Sequence, residues 1–338
     1  MDPVLALRRI AYLLERGGSE TFKVSAFRRA AAVVAELDHR TLVDLAESGR
    51  LQTIDGVGAT TARTIAEALA GKTPAYLTKL EAEDHGEPGA AASRLLSQLR
   101  GDCHSHSDWS DGGSPIEEMA TAAMELGHDY LVLTDHSPRL TVARGLTAER
   151  LLQQLELIEE LNERYTSFRI LTGIEVDILE DGTLDQEEEL LARLDVVVAS
   201  VHSKLRMDSS SMTKRMLRAI ENPHADILGH CTGRILAGRG RPPSIFDAPA
   251  VFTACERTGT AVEINSRPER QDPPDDLLVM ARDMNCLFSI DTDAHAPGQL
   301  EWLARGCQKA AGANLPAERV VNTWAADGLL RWSSGHAS

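Results

Sequence analysis

The sequence contains no run approaching the roughly 20 apolar residues that a membrane-spanning helix needs. Its amphipathic N-terminus, MDPVLALRRIAYLLERGG, has no signal-peptide cleavage pattern. The five cysteines are an odd number without regular spacing, which argues against a disulfide framework and for a reducing cytoplasm. An excess of positive charge is also missing: the net charge is −16. Residues 1–100 hold 13 basic and 13 acidic side chains, so the whole imbalance lies in 101–338. Tight non-specific binding to nucleic acid relies on neutralising phosphates, so any such contact must be local. The acidic part is one that bound metal cations would partly offset.

What the chain does have is a series of seven short hydrophobic runs, each ending in something polar: LRGDCHSHSDWSDG, YLVLTDHS, RILTGIEVDIL, VVVASVHS, ADILGHCTGR, AVEINSRPER and LFSIDTDAH. Helical patterns lie between them, over 116–126, 148–163, 186–193, 212–220, 246–257 and 275–284. Alternation of strand and helix predicts a parallel α/β fold, and seven units predict a barrel with one unit fewer than the common eight. In such a barrel the C-terminal ends of the strands converge on one mouth, so residues some 190 positions apart would meet there.

The polar ends supply His104, His106, Asp111, His136, Glu175, His202, His230, Asp293 and His295. His104 and His106 are two apart, which on a strand end puts both on one face. Glu175 is a carboxylate in an otherwise apolar strand, costly without a partner. A lone histidine after a strand is more often a hydrogen-bonded structural residue than a ligand, but nine such residues at matching strand ends read as a metal site. Mixed imidazole and carboxylate ligation suits Zn2+, Mn2+ or Fe2+ better than Mg2+ or Ca2+. Nine ligands suit two or three ions sharing a bridging carboxylate. Such ions activate water and polarise phosphoryl oxygens, so no Ser or Cys nucleophile is required. Asp135, beside His136, is placed to orient ligands. Arg234 and Arg267 follow strand ends and could clamp a phosphate bidentately, with surface solvation as the plainer alternative.

The first 85 residues read differently. Apolar residues recur at helical spacing over 4–15 and 26–37, and TLVDLAESGRLQTIDGVGATTARTIAEAL reads as helix, turn, helix. Gly56 and Gly58, flanking Val57, let the backbone turn tightly and approach a phosphate. The following helix then directs its N-terminal amides at the anion. An ordinary αα-hairpin is the alternative. Residues 86–99, GEPGAAASRLLSQL, read as a linker running into a short helix.

The hairpin resembles the helix-hairpin-helix motif of DNA repair proteins. With FKVSAFRRAAAVVAEL it looks like the small N-terminal domain of family X DNA polymerases. The position matching that family's lyase lysine is Thr64, which has no amine and cannot form a Schiff base. CHSHSDWSDG, LTDHS, GIEVDIL, DGTLD, SVHS, GHCTGR, EIN and DTDAH resemble the successive motifs of the PHP (polymerase and histidinol phosphatase) domain, in the version that ends bacterial family X polymerases. Residues 86–99 are too few to hold the polymerase fingers, palm and thumb. The resemblance implies a distorted seven-stranded barrel over 100–338, behind an all-α domain over 1–85. It implies a trinuclear site in which His104, His106, Glu175 and Asp293 hold one ion. Glu175 bridges to a second held by His202 and His230, and Asp111, His136 and His295 hold the third. Cys231 stands where that family usually has Pro, and burial is its simplest role.

These readings predict a metal-dependent phosphoesterase, a 3′→5′ exonuclease or 3′-end-trimming enzyme of DNA repair. Gapped or 3′-ended DNA would be held by residues 1–85, and a separate polymerase or repair protein is an expected partner. The alternatives are a small-molecule phosphatase of the histidinol phosphatase type and a non-catalytic DNA-binding scaffold.

Overall fold

In the computed structural model, which describes residues 1–83 and 88–336, the chain divides into two compact units. One is Met1–Glu87 with Pro297–Gln299; the other is Pro88–Ala296 with Leu300–Ser338. The proposed start of the linker, residues 86–87, lies outside the described residues.

The first unit is helical: α1 (Pro3–Arg16), α2 (Thr21–Ala35), α3 (His39–Glu47), α4 (Ala59–Leu69) and α5 (Ala75–Glu81). Asp2 caps α1 by accepting the Leu5 amide at 2.9 Å, and Asp38 caps α3 through the Thr41 amide at 3.0 Å. Leu7, Ile10, Leu14, Phe27, Val34 and Ile65 form its core, the buried faces that the helical spacing predicts. The α3–α4 turn carries Gly56 at φ +84°, a left-handed conformation that glycine adopts without steric cost.

The second unit opens with α6 (Ala90–Leu96), whose Ala92 and Leu95, with Leu99, join the barrel's apolar core. Seven parallel strands follow: β1 (Gly101–Ser105), β2 (Tyr130–Leu133), β3 (Arg169–Asp177), β4 (Val196–Ser200), β5 (Ile227–Leu228), β6 (Ala261–Asn265) and β7 (Phe288–Asp291). They pair in sequence order, and a parallel bridge from Ser105 to Ala294 brings the ends of the sheet together. The His106 amide donates to the Ala294 carbonyl at 2.7 Å across that seam. The architecture is therefore the seven-stranded α/β barrel expected, preceded by a helical hairpin domain.

The helices between the strands are α7 (Ile116–Glu125), α8 (Ala148–Asn162), α9 (Glu188–Leu191), α10 (Ser209–Ile220), α11 (Ala248–Thr258) and α12 (Asp275–Asp283). They are followed by α13 (Leu303–Gly312) and α14 (Ala326–His336). Two elements are shorter than their sequence patterns suggest. The pattern over 186–193 yields only the single turn α9. The run ADILGH pairs only at Ile227 and Leu228 before the backbone turns, with His230 at φ 21°. A Cβ at Gly229 would overlap the Ser200 hydroxyl, so that turn is packed against β4.

Candidate metal centre

The polar residues converge as the barrel geometry requires. His104 lies in the last pleat of β1 and His106 follows the strand, with ring centroids 5.1 Å apart. His136 follows β2, Glu175 lies in β3, His202 follows β4, His230 follows β5, and Asp293 and His295 follow β7. Asp111 lies in the loop after β1. All nine sequence-predicted ligand residues fall in this one cluster.

Glu175 is its hub. Oε1 is 2.8 Å from His230 Nε2 and 3.1 Å from His202 Nε2. Oε2 is 2.8 Å from His136 Nδ1, 3.4 Å from His104 Nε2 and 3.6 Å from His106 Nε2. Asp111 Oδ1 lies 3.4 Å from His136 Nε2 and 3.3 Å from His295 Nε2. Asp293 Oδ1 lies 3.4 Å from His106 Nε2. Three groups have ligand atoms within 4.8 Å of one another: His106, Asp111, His136 and His295; His104, His106 and Glu175; His136, Glu175 and His202. His106, His136 and Glu175 each belong to two of them, so the groups are contiguous.

Burial alone pushes the Glu175 carboxyl up, but the charges of His202, His104 and His136 outweigh it and hold the group well below the usual carboxylate range. Burial likewise pulls His136 down, while Glu175 and Asp111 lift it to about 10. His106 is pulled well below an ordinary imidazole by burial and by the neighbouring His295 and His136. His230 falls to about 4 through burial and the charge of Arg270. Burial lowers His104 and His202 too, but Glu175 raises both above an ordinary imidazole, so ionised carboxylates face a mixture of raised and lowered imidazoles, and metal ligation at the raised ones would release their protons.

A direct test of whether the cluster suits metal ions is the state of its polar atoms. His104 Nε2, both ring nitrogens of His106, His136 Nδ1, Glu175 Oε2, both ring nitrogens of His202 and His230 Nδ1 are buried without a hydrogen-bond partner. Each such atom costs about 1–3 kcal/mol in a folded protein. Several lie within 3.6 Å of a carboxylate oxygen yet lack hydrogen-bond geometry. Divalent ions between them would satisfy the lone pairs together, so the donor set fits the group.

The surrounding chain is braced. Asp135 is fully buried and accepts from the Ser107 amide at 2.9 Å, the Ser107 hydroxyl at 2.6 Å, the Ser110 hydroxyl at 2.5 Å and Gln154 Nε2 at 2.6 Å. It fastens the loop between His106 and Asp111 and has no hydrogen bond to an imidazole among the described residues. Asp185 accepts from the Ser137 hydroxyl at 3.0 Å and the Arg139 amide at 2.7 Å, fixing the chain after His136. Buried Arg215 ties the carbonyls of Ile178 and Ser203 together beside His202.

A cleft of about 370 Å3 opens over the cluster, lined by Asp111, His136, His202, Asp293, His295, Arg267, Glu269 and Arg270 and by the apolar Leu140, Val142, Ala143 and Ile235. Arg267 Nη1 is 3.3 Å from Asp293 Oδ1 and 3.2 Å from His295 Nδ1. Arg234, its expected partner, donates instead to the carbonyls of Arg270 and Gln271 and does not line the cleft. Arg270 takes that position: Nε donates to Asp293 Oδ2 at 3.1 Å, and Nη1 is buried without a hydrogen-bond partner. Reading the sequence missed Arg270, although it stands three residues after Arg267 in the same SRPER segment. Cys231 is buried and outside the three groups, and burial pushes its thiol far up.

In the helical unit, the Val57 amide donates to the Ile54 carbonyl at 3.0 Å and the Gly58 amide to the Thr61 hydroxyl at 2.9 Å. An anion at this turn would therefore meet the first-turn amides of α4, which an α-helix leaves without internal partners.

Comparison with known proteins accounts for both units. The PHP domain matches residues 102–267, and a helix-hairpin-helix domain matches residues 2–74. The barrel is a PHP domain. The DNA polymerase/3′-5′ exonuclease PolX of Bacillus subtilis is 40% identical over 227 residues, covering 67% of this chain and 40% of that protein, so the match spans less than half of that relative's length. A probable phosphatase of Thermoanaerobacter sp. is 28% identical over 233 residues, covering 66% of this chain and 89% of its own. A histidinol phosphate phosphatase from Lactococcus lactis, solved with zinc, L-histidinol and phosphate, aligns with a TM-score of 0.47 and 17% identity over 64% of this chain and 95% of that one. Among the described residues no helix is long and apolar enough to cross a membrane.

Proposed function

We propose that the protein is a cytoplasmic, metal-dependent phosphoesterase that trims 3′ ends of DNA as a 3′→5′ exonuclease. The observation that carries this reading is the cluster of buried imidazole and carboxylate atoms without hydrogen-bond partners beneath a cleft holding two arginines. The helix-hairpin-helix match and the Bacillus relative support DNA as the substrate.

In this reading His104, His106, Glu175 and Asp293 hold one divalent ion. Glu175, His202 and His230 hold a second, and Asp111, His136 and His295 a third. Zn2+, Mn2+ and Fe2+ all suit the donors. Bound ions of this kind activate water and polarise phosphoryl oxygens. The chain's own residues supply the rest. Arg267 and Arg270 present guanidinium donors to the phosphate oxygens, and their bonds to Asp293 keep them in place. Asp135 holds the loop that carries Asp111. Gly56, Val57 and Gly58 shape the turn from which α4 meets the DNA backbone. A separate polymerase or repair protein is the partner that end-trimming implies.

A second reading, a small-molecule phosphatase, is favoured by the Thermoanaerobacter relative, which this barrel matches over nearly its whole length. The test gives the Mn2+- or Zn2+-loaded protein 3′- and 5′-labelled DNA alongside histidinol phosphate. Stepwise loss of 3′ nucleotides, at a kcat/KM above that for histidinol phosphate, is expected. Hydrolysis of histidinol phosphate with intact DNA ends would transfer the assignment to the second reading.

A further inference from the structure

Six of the seven strands have at least one of the nine ligand residues in them or in the loop after them; β6 has none. It nevertheless sends two fully buried polar side chains toward the cluster, Glu263 and Asn265, two residues apart and so on one face. Glu263 Oε1 is 2.6 Å from His104 Nδ1. Its Oε2 accepts the His230 backbone amide and is 3.3 Å from Asn265 Nδ2. Asn265 Nδ2 is also 3.3 Å from Asp293 Oδ2, and Asn265 Oδ1 accepts the Arg267 amide at 3.1 Å.

A buried carboxylate is costly, and this one shares the barrel interior with Asp291, whose carboxyl is raised to about 6 by burial and by the charge of Glu263. The contacts explain what it is for. With Glu263 accepting at Nδ1, a proton of His104 is held on that nitrogen, which leaves Nε2, 3.4 Å from Glu175 Oε2, as the nitrogen available to an ion. The bond to the His230 amide holds a residue at φ 21°, a backbone conformation a histidine rarely adopts, with its Nε2 2.8 Å from Glu175. Asn265 connects the same carboxylate to Asp293.

We infer that β6 is the positioning strand of the metal centre: Glu263 sets the tautomer of His104 and holds the backbone of His230, and Asn265 orients Asp293, residues that belong to two different ion sites, without either ligating an ion. This rests on the metal reading of the cluster above. The chemistry recognised is that of a divalent cation at imidazole nitrogen, reached through a carboxylate–histidine pair.

The test measures Zn2+ affinity of chelator-stripped wild type, Glu263→Ala, Glu263→Gln and Asn265→Ala by competition with a chromogenic chelator. The absorption spectrum of each Co2+-loaded form and the melting temperature of each metal-free form are recorded beside it. Glu263→Ala is expected to weaken Zn2+ binding about 10–100-fold and to alter the Co2+ spectrum. Glu263→Gln keeps the volume and one acceptor, so a smaller loss is expected; it also carries the test if the alanine variant fails to fold. Wild-type affinity and an unchanged Co2+ spectrum in the folded variants, with only a lowered melting temperature, would reduce Glu263 to a packing residue and overturn the inference. A wild type that binds no metal would overturn it together with the proposed function, whereas metal-binding wild type with indifferent variants would sink the inference alone.

Discussion

Single residues decide which chemistry each unit retains. Glu175 is the clearest: a fully buried carboxylate facing five imidazoles makes little sense as packing, and in the sequence it stands out as a carboxylate in an otherwise apolar stretch. Glu263 gave the same signal in AVEIN but contacts an imidazole on the side away from the cluster, so the sequence reading passed over it. In the helical unit the deciding residue is Thr64, which is 2% exposed and whose hydroxyl donates to the Thr60 carbonyl at 3.1 Å. It has no amine for Schiff-base chemistry. Borohydride treatment with gapped DNA carrying a 5′ deoxyribose phosphate is therefore expected to give no covalent adduct. An adduct mapping to Lys72 or Lys79 would mean that another lysine had taken over lyase chemistry.

At the scale of elements, the α3–α4 hairpin separates fold from function at two nearby glycines. Gly56 has φ +84°, and a Cβ there would press on the Arg29 side chain, so substitution disturbs the fold itself. Gly58 has φ −92° and open space around its Cβ position, and it caps α4. Ser is at least as good a cap, so Gly58→Ser should leave the melting temperature essentially unchanged. It places a side chain where a phosphate would approach the first turn of α4. DNA binding is expected to weaken by about 1–2 kcal/mol, the scale of a lost charge-assisted hydrogen bond. Unchanged affinity in a filter-binding or anisotropy titration would remove this turn from the DNA contact.

The same elements show what a sequence pattern conveys. Helix α4 lies where the helix–turn–helix pattern puts its second helix, because Thr61, Ala62, Ile65 and Ala68 form a clear buried stripe after a glycine cap. Strand β5 does not, because the chain must turn after two paired residues to aim His230, and hydrophobicity carries no record of that turn. Helix α13 lies after β7, beyond the strand–helix alternation from which the helical patterns are read, with Leu303, Gly306, Cys307 and Ala310 on its buried face. Arg234 and Arg270 differ for a similar reason. Both follow strand ends, and only the three-dimensional loop reveals that one guanidinium braces the backbone while the other lines the cleft.

For the whole molecule, the negative charge belongs to the residues of the barrel and not to those of the helical unit. All of the net −16 falls in residues 101–338, and the barrel interior alone buries Asp102, Glu175, Glu263, Asp291 and Asp293. A barrel that gathers this many acids around unpartnered imidazole nitrogens is organised for cations. The most direct test is to strip the protein with a chelator, confirm that it stays folded by circular dichroism, and titrate back Zn2+ or Mn2+ while following hydrolysis of a phosphodiester. The stripped protein is expected to be inactive, with activity returning and reaching a plateau at about three equivalents per chain. A folded, metal-free protein that hydrolyses the ester at the full rate, or a fully loaded one that does not hydrolyse it at all, would contradict the account.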